Sequence, residues 1–254
     1  MDILTETKDG ILRIEFNRPP KKNAITAAMY QTLADTLAQA DDDAKVRAVV
    51  LHGNGGAFTA GNDLEDFMKR PPLEQDAPVL QFLERISRAT KPLIAAVNGA
   101  AAGVGTTMLL HCDLVYAGEN AKFLLPFTHL GLCPEAASSY LLPRISGYQR
   151  AAEKLLLGEP FGAAEARAIG IVNDVLPDAE VLNHALAQAT KLTKLPSSSV
   201  RTTKALMKRG LRAPVEDHMR EEIEHFRRLL SSAEAKEALA AFFEKRAPDF
   251  SKFT

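Results

Sequence analysis

Three short and almost entirely apolar runs constrain the fold of this chain most strongly. They occupy residues 46–51, 93–97 and 114–117 and carry Val, Ile, Leu and Ala side chains. A strand that is apolar on both faces has to be covered on both faces, which is typical of parallel sheets flanked by helices. The runs therefore predict buried central strands of an α/β fold.

The segments before and between these strands have the sequence periodicities of a half-buried strand and of an amphipathic helix. Residues 11–16 alternate between apolar and charged side chains, which predicts a half-buried strand. After Thr26, apolar residues recur on one helical stripe from Met29 to Ala40, so Thr26 is the expected N-cap of an amphipathic helix. Strands and helices thus alternate along the first part of the chain, as in layered α/β proteins.

From residue 149 onwards the pattern becomes mostly helical. Residues 163–169 predict a short helix that ends at Gly170. A glycine there is typical of the left-handed residue that closes a helix. Residues 171–175 predict a further strand after it.

Two amphipathic helices are predicted near the C-terminus. The second opens with a capping box formed by Ser231 and Glu234. The apolar stripes comprise Val215, Met219, Ile223, Phe226 and Leu230 in the first helix, and Leu239, Phe242 and Phe243 in the second. The break at residues 195–197 predicts a boundary between a core over 1–195 and a C-terminal helical region over 196–254.

The composition excludes several classes of protein. With 254 residues, 46% hydrophobic and 25% charged, the chain is typical of a folded protein with a sizeable core. With a formal net charge of −1, the protein has no overall electrostatic field that would attract nucleic acid or an anionic membrane.

The two cysteines, Cys112 and Cys133, imply no disulfide framework, so a reducing compartment is expected. Charged residues before Gly10, and no uncharged apolar run of about 18 residues, predict a cytoplasmic protein without membrane segments.

Two glycine-containing loops that follow predicted strands are the first candidates for a binding site. Residues 51–64 read LHGNGGAFTAGNDL, and residues 97–105 read VNGAAAGVG. Loops at the carboxyl ends of strands gather ligands in α/β folds because they expose backbone N–H groups. Neither loop has the Gly-Lys-Ser/Thr ending or the G-x-G-x-x-G register of a nucleotide site. On this pattern alone, tight turns are the more common explanation.

As a pair, the loops resemble those of the crotonase (enoyl-CoA hydratase/isomerase) superfamily. Residues 58–64, FTAGNDL, are similar to the loop that in this family binds adenine and supplies one oxyanion N–H group. Residues 98–104, NGAAAGV, are similar to its second oxyanion segment, which opens a buried helix. Residues 18–24, RPPKKNA, resemble the N-terminal coenzyme A contact. The likeness continues through residues 112–113 and 158–170, and it covers nearly the whole chain in order.

The resemblance implies a fold, a ligand and an assembly. The fold would be a crotonase-like ββα spiral core with a C-terminal helical trimerisation region. The ligand would be an acyl-CoA thioester, and the assembly a homotrimer or hexamer. The residues expected to bind the ligand are Lys22, Ala24, Ala60, Gly61, Asn62, Asp63, Leu64 and Gly103, with Phe242 and Lys245 from the last helix. In many family members that helix belongs to a neighbouring subunit, and the alternative for Phe242 and Lys245 is a core ring and a solvated cation.

The resemblance also implies an oxyanion hole. By position, the backbone N–H groups of Asn62 and Val104 would stabilise the enolate that forms when a thioester loses the proton on its adjacent carbon. Gly105 would let the following helix pack closely, and the positive end of that helix would favour an anion.

The reaction is inferred from the carboxylates. Family hydratases use two glutamates to activate water, but in this chain the matching positions hold Thr107 and Phe127. Residues 126–136, PFTHLGLCPEA, resemble the segment of Δ3,Δ2-enoyl-CoA isomerases whose glutamate follows a proline, and Glu135 falls at that place. One carboxylate suffices for a 1,3 proton shift, and apolar neighbours would raise its pKa. The predicted function is therefore isomerisation of an acyl-CoA double bond in fatty acid β-oxidation. No separate cofactor is expected, because coenzyme A is part of the substrate.

Alternatives stay open at this point. Glu135 could instead cap a helix that begins near Pro134. The same loops could serve thioester hydrolysis, atypical hydration, or coenzyme A binding without catalysis. His129 and Cys133 lack a second pair of ligands, so no metal site is expected.

Two further segments carry expectations. Residues 191–212 hold seven basic and no acidic side chains. Without aromatic stacking partners, a solvated helix face is expected rather than a nucleic-acid site. Residues 66–82 contain Pro71, Pro72 and Pro78, which predicts an irregular loop in the wall of an acyl pocket.

Overall fold

The buried strands that the apolar runs predict form the centre of the computed structural model, which describes residues 1–69, 71, 74 and 76–253. The strands are β1 (Ile3–Lys8), β2 (Ile11–Phe16), β3 (Ala48–Gly53), β4 (Leu93–Val97), β5 (Ala100–Ala102), β6 (Leu114–Gly118), β7 (Lys122–Leu124), β8 (Phe161–Gly162) and β9 (Asp174–Leu176). Six of them form the main sheet, in the order β1-β2-β3-β4-β6-β9. Every neighbouring pair in it is parallel except β1 with β2. A smaller sheet has the order β5-β7-β8.

Helices cover both faces of the main sheet. They are α1 (Ala27–Asp42), α2 (Leu64–Lys69), α3 (Pro78–Arg88), α4 (Val104–Thr107), α5 (Ser138–Ser146), α6 (Tyr148–Ala152), α7 (Ala163–Ala168), α8 (Val181–Thr193), α9 (Ser197–Lys208), α10 (Arg212–Leu230) and α11 (Ala233–Glu244). Short 3-10 turns lie at Pro19–Lys21, Met108–His111, Thr128–Leu130 and Phe250–Lys252, and a π-helical turn lies at Glu153–Leu157. The α1 helix begins where the sequence predicts, because the Thr26 side chain accepts a hydrogen bond from the Met29 N–H.

The main sheet separates two apolar cores. One packs α1 and α3 against the sheet and includes Leu33, Leu37, Phe82, Ile86, Ile14 and Leu51. The other packs α8 against the opposite face and includes Val181, Ala185, Ala189, Val50 and Ile94. Because β3 and β4 are buried on both faces, residues 48–51 and 93–97 are all apolar.

The first strand is not predicted by its pattern. In β1 only Ile3 is buried, so this edge strand lacks the alternation that identifies β2. Asp9 and Gly10 join the two strands with φ angles of 51° and 80°, as a two-residue hairpin turn of type I′ requires.

Three predicted element boundaries are wrong. The strand expected over 171–175 is β9, which begins at Asp174, because the chain first buries Ile171 in a turn. The N-cap of α11 is Ser232 rather than Ser231, and its hydroxyl accepts from the Ala235 N–H. The irregular segment expected over 66–82 is helical at both ends, in α2 and α3. Its residues 70, 72, 73 and 75 lie outside the described residues, so the expected loop is untested there.

The last two helices extend the first core. Val215 and Met219 of α10 and Ala235 of α11 belong to the same apolar cluster as α1 and α3. The C-terminal region is helical, as expected, while its division from a core at residue 195 stays a prediction.

The basic stretch over 191–212 is only partly a solvated face. Lys204 is 4% exposed, and its Nζ lies 2.6 Å from the Asp113 carboxylate and 2.7 Å from the Lys91 carbonyl. A buried cation needs such partners, and this one joins α9 to the turn before β6. No helix in the described part of the chain is long and apolar enough to cross a membrane.

Candidate active site

The loops after β3 and β4 lie side by side because their strands are parallel neighbours. Thr59 donates its N–H to the Ala100 carbonyl at 2.9 Å, and Ala102 donates to the Thr59 carbonyl at 3.0 Å. Gly61 adopts a φ of 86°, and a Cβ atom there would lie 2.6 Å from the Ala102 carbonyl oxygen. The two glycine loops of the sequence therefore form one continuous surface, and only glycine fits at position 61.

The Asn62 backbone N–H is turned into this surface. Ile25 donates its N–H to the Gly61 carbonyl at 2.8 Å, and Asp63 donates to the Ile25 carbonyl at 2.9 Å. In such a parallel bridge the residue opposite Ile25 directs its own N–H to the other side. The Asn62 N–H has no acceptor among the residues that the structure describes.

The Val104 N–H is the first of α4 and is equally unpaired. Gly103 is the N-cap, with φ 54° and ψ −120°, and its carbonyl accepts from the N–H groups of Thr106 and Thr107. The N–H groups of a first helical turn lack intrahelical acceptors, and within the described chain Val104 has no other. A Cβ on Gly105 would lie 2.7 Å from the Thr59 side chain, so glycine allows α4 to pack against the first loop. Because α4 has only four residues, the free Val104 N–H contributes more to stabilising an anion than a helix dipole does.

Glu135 lies in an irregular turn rather than a helix. The α5 helix begins at Ser138, after Ala136 and Ala137 in the left-handed region, with φ angles of 60° and 55°. No side chain caps α5, so the alternative that Glu135 caps a helix beginning near Pro134 is wrong. The Glu135 carboxylate instead accepts a hydrogen bond from the Thr107 hydroxyl. Thr107 lies three residues after Val104, about one helical turn away, so Glu135 belongs to the same site.

Burial governs the protonation of Glu135. It raises the pKa of this carboxyl group from 4.5 to about 8, opposed by the Thr107 hydrogen bond and assisted by the charge of Glu222. Part of the residue's surface nevertheless stays accessible. A carboxyl group with a pKa near neutrality can both accept and return a proton.

Glu222 holds the turn that carries Glu135. It is 6% exposed on α10, and its carboxylate accepts the N–H of Ala137 at 2.6 Å and the N–H of Ser139 at 3.0 Å. The Ser139 hydroxyl donates to it as well. Burial raises the pKa of Glu222, although these hydrogen bonds act against the rise. Sequence reasoning missed this residue, and the available signal was an acid within the apolar stripe of α10, between Met219 and Phe226.

A second missed residue is Tyr30 of α1. It is 3% exposed, and its hydroxyl donates to the Asn62 side-chain oxygen at 2.5 Å. Burial raises the pKa of Tyr30 well above its ordinary value, and the charge of Glu135 raises it further. The signal was a tyrosine on the buried stripe of α1, since a buried hydroxyl needs a partner.

The N-terminal segment, residues 18–24, holds the first loop in place through hydrogen bonds. Lys22 and Asn23 adopt φ angles of 48° and 58°, and the Lys22 carbonyl accepts from the Ala60 N–H. The Asn23 side chain donates to the Ala57 carbonyl at 2.7 Å. Residues 18–24 therefore lie against residues 58–64, while their contact with coenzyme A stays a prediction.

An ion pair completes this support. Arg18 Nη1 lies 2.6 Å from the Asp63 carboxylate and donates to the Ala24 carbonyl at 3.0 Å. Burial opposes ionisation of Asp63, but the hydrogen bonds from Arg18 and the Asp66 N–H hold its pKa below the usual range. Of the predicted ligand contacts, Asp63 is thus committed to the protein, while Ala60, Asn62, Leu64 and Gly103 are half-buried and Lys22 is exposed.

The two C-terminal ligand residues lie on the surface. Phe242 is 56% exposed and contacts the ring of Phe243, which is 45% exposed. Lys245 is the exposed C-cap of α11. Neither phenylalanine is a core ring of this chain, and their contact with coenzyme A stays a prediction. The described residues contain no group of three or more metal-ligating side chains.

The parallel sheet, the paired loops and the buried carboxylate define a crotonase-type α/β protein. A family model described as enoyl-CoA hydratase/isomerase matches residues 6–252. The chain belongs to the enoyl-CoA hydratase/isomerase family.

Individual relatives carry both reaction names. The chain is 36% identical to enoyl-CoA delta isomerase 2 of Rattus norvegicus over 96% of its own length and 64% of that protein's. It is also 36% identical to a probable enoyl-CoA hydratase of Rhodobacter capsulatus, over 96% of each chain. The crystal structure of an enoyl-CoA hydratase/isomerase from Pseudoalteromonas atlantica matches with a TM-score of 0.94 and 43% identity, over 99% of this chain and 100% of that one. The crotonase-like fold with its helical C-terminal region is therefore confirmed, and the chain spans just under two thirds of the rat protein.

Proposed function

We propose that this protein is a Δ3,Δ2-enoyl-CoA isomerase, which moves a 3-double bond of an acyl-CoA thioester to the 2-position. The observation that supports this most is one desolvated carboxyl group, Glu135, beside two unpaired backbone N–H groups. The reaction needs a base at C2, an acid at C4 and donors for the thioester oxygen, and these three groups supply all of them.

The first step is removal of a C2 proton. The Glu135 carboxylate takes the proton, and the electron pair spreads over the dienolate to the thioester oxygen. The N–H groups of Asn62 and Val104 donate to that oxygen as its charge develops. Each such donor stabilises the transition state by about 3–4 kcal/mol in related chemistry.

The second step returns the same proton. Neutral Glu135 protonates C4, the double bond forms between C2 and C3, and the carboxylate is regenerated. Because this cycle transfers one proton and involves no net oxidation or reduction, the proposed reaction requires no metal or redox cofactor. The Thr107 hydroxyl favours the charged carboxylate and so keeps the base available.

Hydration is disfavoured by the side chains around the site. The positions that carry the water-activating glutamates of hydratases hold Thr107 and the buried Phe127. Two other buried acids of this region are already committed: Glu222 to three hydrogen-bond donors and Asp63 to Arg18. A water molecule would therefore find one carboxylate where hydration by the usual route needs two.

The coenzyme A moiety would lie along the first loop. We assign its contacts to the backbone of residues 60–64, to Lys22, Ala24 and Gly103, and to Phe242 and Lys245 of the same or a neighbouring subunit. The physiological role would be β-oxidation of unsaturated fatty acids, in a homotrimer or hexamer.

The test compares wild type with Glu135→Gln on 3-hexenoyl-CoA and on 2-hexenoyl-CoA. Wild type should convert the first to the 2-enoyl product and hydrate the second poorly. The variant should lose about 10³-fold or more in kcat, since a positioned base contributes about 10²–10⁴-fold. Glu180→Gln, an exposed change before α8, serves as the control and should keep full activity.

Other outcomes would replace the proposal. Release of free coenzyme A from either substrate would indicate thioester hydrolysis with Glu135 as the base that activates water. Rapid hydration of 2-hexenoyl-CoA would indicate a hydratase. Tight binding of both thioesters without turnover would indicate a coenzyme A-binding protein without catalysis.

A further inference from the structure

We propose that Tyr30 is a positioning residue of this site: its hydroxyl fixes the Asn62 side-chain amide, so that the Asn62 backbone N–H stays directed at the thioester oxygen. This inference rests on the proposed function, because it assigns a role within the same site. It is independent of which residues bind the coenzyme A moiety.

Tyr30 is itself held in one place. The first turn of α1 is fixed by the Thr26 cap and by the Asp66 side chain, which accepts the Ala27 N–H at 2.7 Å. The Tyr30 ring packs on Phe82 of α3, with ring centroids 5.5 Å apart. A hydroxyl on such a framework has a defined position, so its hydrogen bond constrains its partner rather than following it.

Asn62, the hydrogen-bond partner of Tyr30, is the residue whose position has to be fixed. Asn62 lies between the left-handed Gly61 and the ion-paired Asp63, at the end of the loop that joins β3 to α2. A hydroxyl carries one proton, and Tyr30 donates it to Asn62 Oδ1 at 2.5 Å. This bond joins the oxyanion loop to α1 through a side chain, in addition to the backbone bonds from Ile25.

The same bond leaves the other end of the Asn62 amide free. Its Nδ2 has no acceptor among the described residues, and Asn62 is half-buried. Asn62 and Tyr30 border a cavity of about 30 Å³ whose wall includes Phe67 and Val79. Among the described residues, the Asn62 side chain is therefore held through Oδ1 alone, and Tyr30 is the partner that fixes it.

Tyr30→Phe tests this by removing one hydroxyl from a ring that stays buried. Losing one neutral hydrogen bond of about 0.5–1.5 kcal/mol should lower kcat for 3-hexenoyl-CoA by about two- to tenfold, with KM nearly unchanged. Tyr116→Phe, in β6 beside the second core, is the matched control and should leave kcat unchanged. Unchanged kcat in Tyr30→Phe would overturn the inference.

A double-mutant cycle with Asn62→Ala distinguishes positioning from packing. Asn62→Ala keeps the backbone N–H and removes the side chain through which Tyr30 acts. In that background Tyr30→Phe should cost nothing further, because the two residues act as one unit. A loss that adds fully to that of Asn62→Ala would show that the hydroxyl does not act through Asn62.

A binding measurement keeps this inference separate from the isomerase proposal. Acetoacetyl-CoA enolises when an oxyanion hole stabilises its enolate, and the ultraviolet absorbance of the bound enolate reports that stabilisation without turnover. At one pH and saturating probe, Tyr30→Phe should lower the ratio of bound enolate to bound keto form by the same two- to tenfold factor. If wild type forms the enolate but isomerises nothing, the isomerase proposal fails and the Tyr30 inference stands on this ratio. An equal ratio in wild type and Tyr30→Phe would refute the inference even in an active isomerase.

Discussion

The Thr107 hydroxyl and the surrounding protein act on Glu135 in opposite directions. Burial favours the neutral acid and raises the pKa to about 8, whereas the hydrogen bond from Thr107 favours the carboxylate and lowers it. The proposed base must be charged to accept the C2 proton. We therefore expect kcat/KM to rise with pH through a midpoint near the pKa of Glu135.

Thr107→Val should move that midpoint upwards. The substitution keeps the shape of the side chain but removes the donor that stabilises the carboxylate, so the pKa of Glu135 rises. The measurement is kcat/KM for 3-hexenoyl-CoA between about pH 6 and pH 10. Thr106 is the neighbour of Thr107 in α4, and its hydroxyl donates to the Ala101 carbonyl of β5. Thr106→Val removes that hydroxyl and should leave the midpoint in place. A Thr107→Val profile that coincides with wild type would mean that Thr107 does not tune the base.

The same pKa predicts a dependence of stability on pH. In the unfolded chain Glu135 ionises around its ordinary pKa of 4.5, while in the folded protein it ionises only around 8. A raised folded-state pKa means that its contribution to stability is complete below pH 4.5 and is lost as pH rises to about 8.

Glu135→Gln, which cannot ionise, should avoid that loss. Its Tm should equal that of wild type near pH 5 and exceed it by several degrees at pH 9. Thermal unfolding of both proteins across this range is the measurement. A variant that is less stable than wild type at pH 9 would contradict a desolvated carboxylate at this position.

At the scale of elements, α10 fixes the catalytic turn through one side chain. Ala136 and Ala137 adopt left-handed conformations, each of which costs about 1–3 kcal/mol for a residue other than glycine. Glu222 compensates by accepting the N–H groups of Ala137 and Ser139 and the hydroxyl of Ser139. The orientation of Glu135 therefore depends on a helix that lies more than 80 residues later in the chain.

Glu222→Gln should loosen this turn. The amide keeps one acceptor oxygen but brings an NH2 group against N–H donors, so an unfavourable contact replaces a hydrogen bond at a cost of about 1–3 kcal/mol. We expect a lower Tm and a fall in kcat larger than the change in KM. Glu221→Gln, on the exposed side of the same helix, is the control and should change neither. Full activity in Glu222→Gln would mean that the turn keeps its conformation without this acid.

Elements differ in how well their sequences predict them. The strands β3, β4 and β6 are predictable because burial on both faces requires apolar residues, and α1 because Thr26 and its apolar stripe agree. The edge strand β1 is not predictable, since its exposed residues carry no pattern. The helix near Pro134, which belongs to the alternative role of Glu135, does not form, because two left-handed alanines precede α5 and alanine gives no local signal for that conformation.

The site divides in the same way. The assignment of its backbone donors comes from the resemblance of residues 58–64 and 98–104 to the family's loops, because glycine loops taken alone are more often tight turns. Tyr30 and Glu222 cannot be assigned from sequence, because their partners lie 32 and 83–85 residues away and only the fold brings them together. What the sequence offers for each is a polar group on an apolar stripe.

At the scale of the whole molecule, the C-terminal helices expose apolar side chains that a single chain leaves uncovered. Leu206 and Met207 of α9 are 63% and 66% exposed, and Phe242 and Phe243 of α11 are 56% and 45% exposed. Such side chains are typical of surfaces that a partner covers. They support the proposed homotrimer or hexamer.

Light scattering after size-exclusion chromatography should give three or six times the chain mass of 27.6 kDa. Met207→Lys should shift the protein towards smaller species, because a charge at a buried subunit contact is costly. Leu4→Lys, on the exposed edge strand β1, is the control and should leave the assembly unchanged. A monomeric wild type at micromolar concentration would contradict this proposal without affecting the fold.

The central claim is that one carboxyl group carries one proton from C2 to C4, and isotope transfer tests it most directly. Because Glu135 is half-buried and a bound substrate would cover its remaining accessible surface, a deuteron taken from C2 should return to C4 before it exchanges with solvent. Single turnover of 2,2-dideuterated 3-hexenoyl-CoA should therefore give 2-hexenoyl-CoA with a substantial fraction of deuterium at C4, and Glu135→Gln should give no product. A product whose C4 hydrogen comes only from solvent, or a variant that still transfers deuterium, would contradict a single shielded base at Glu135.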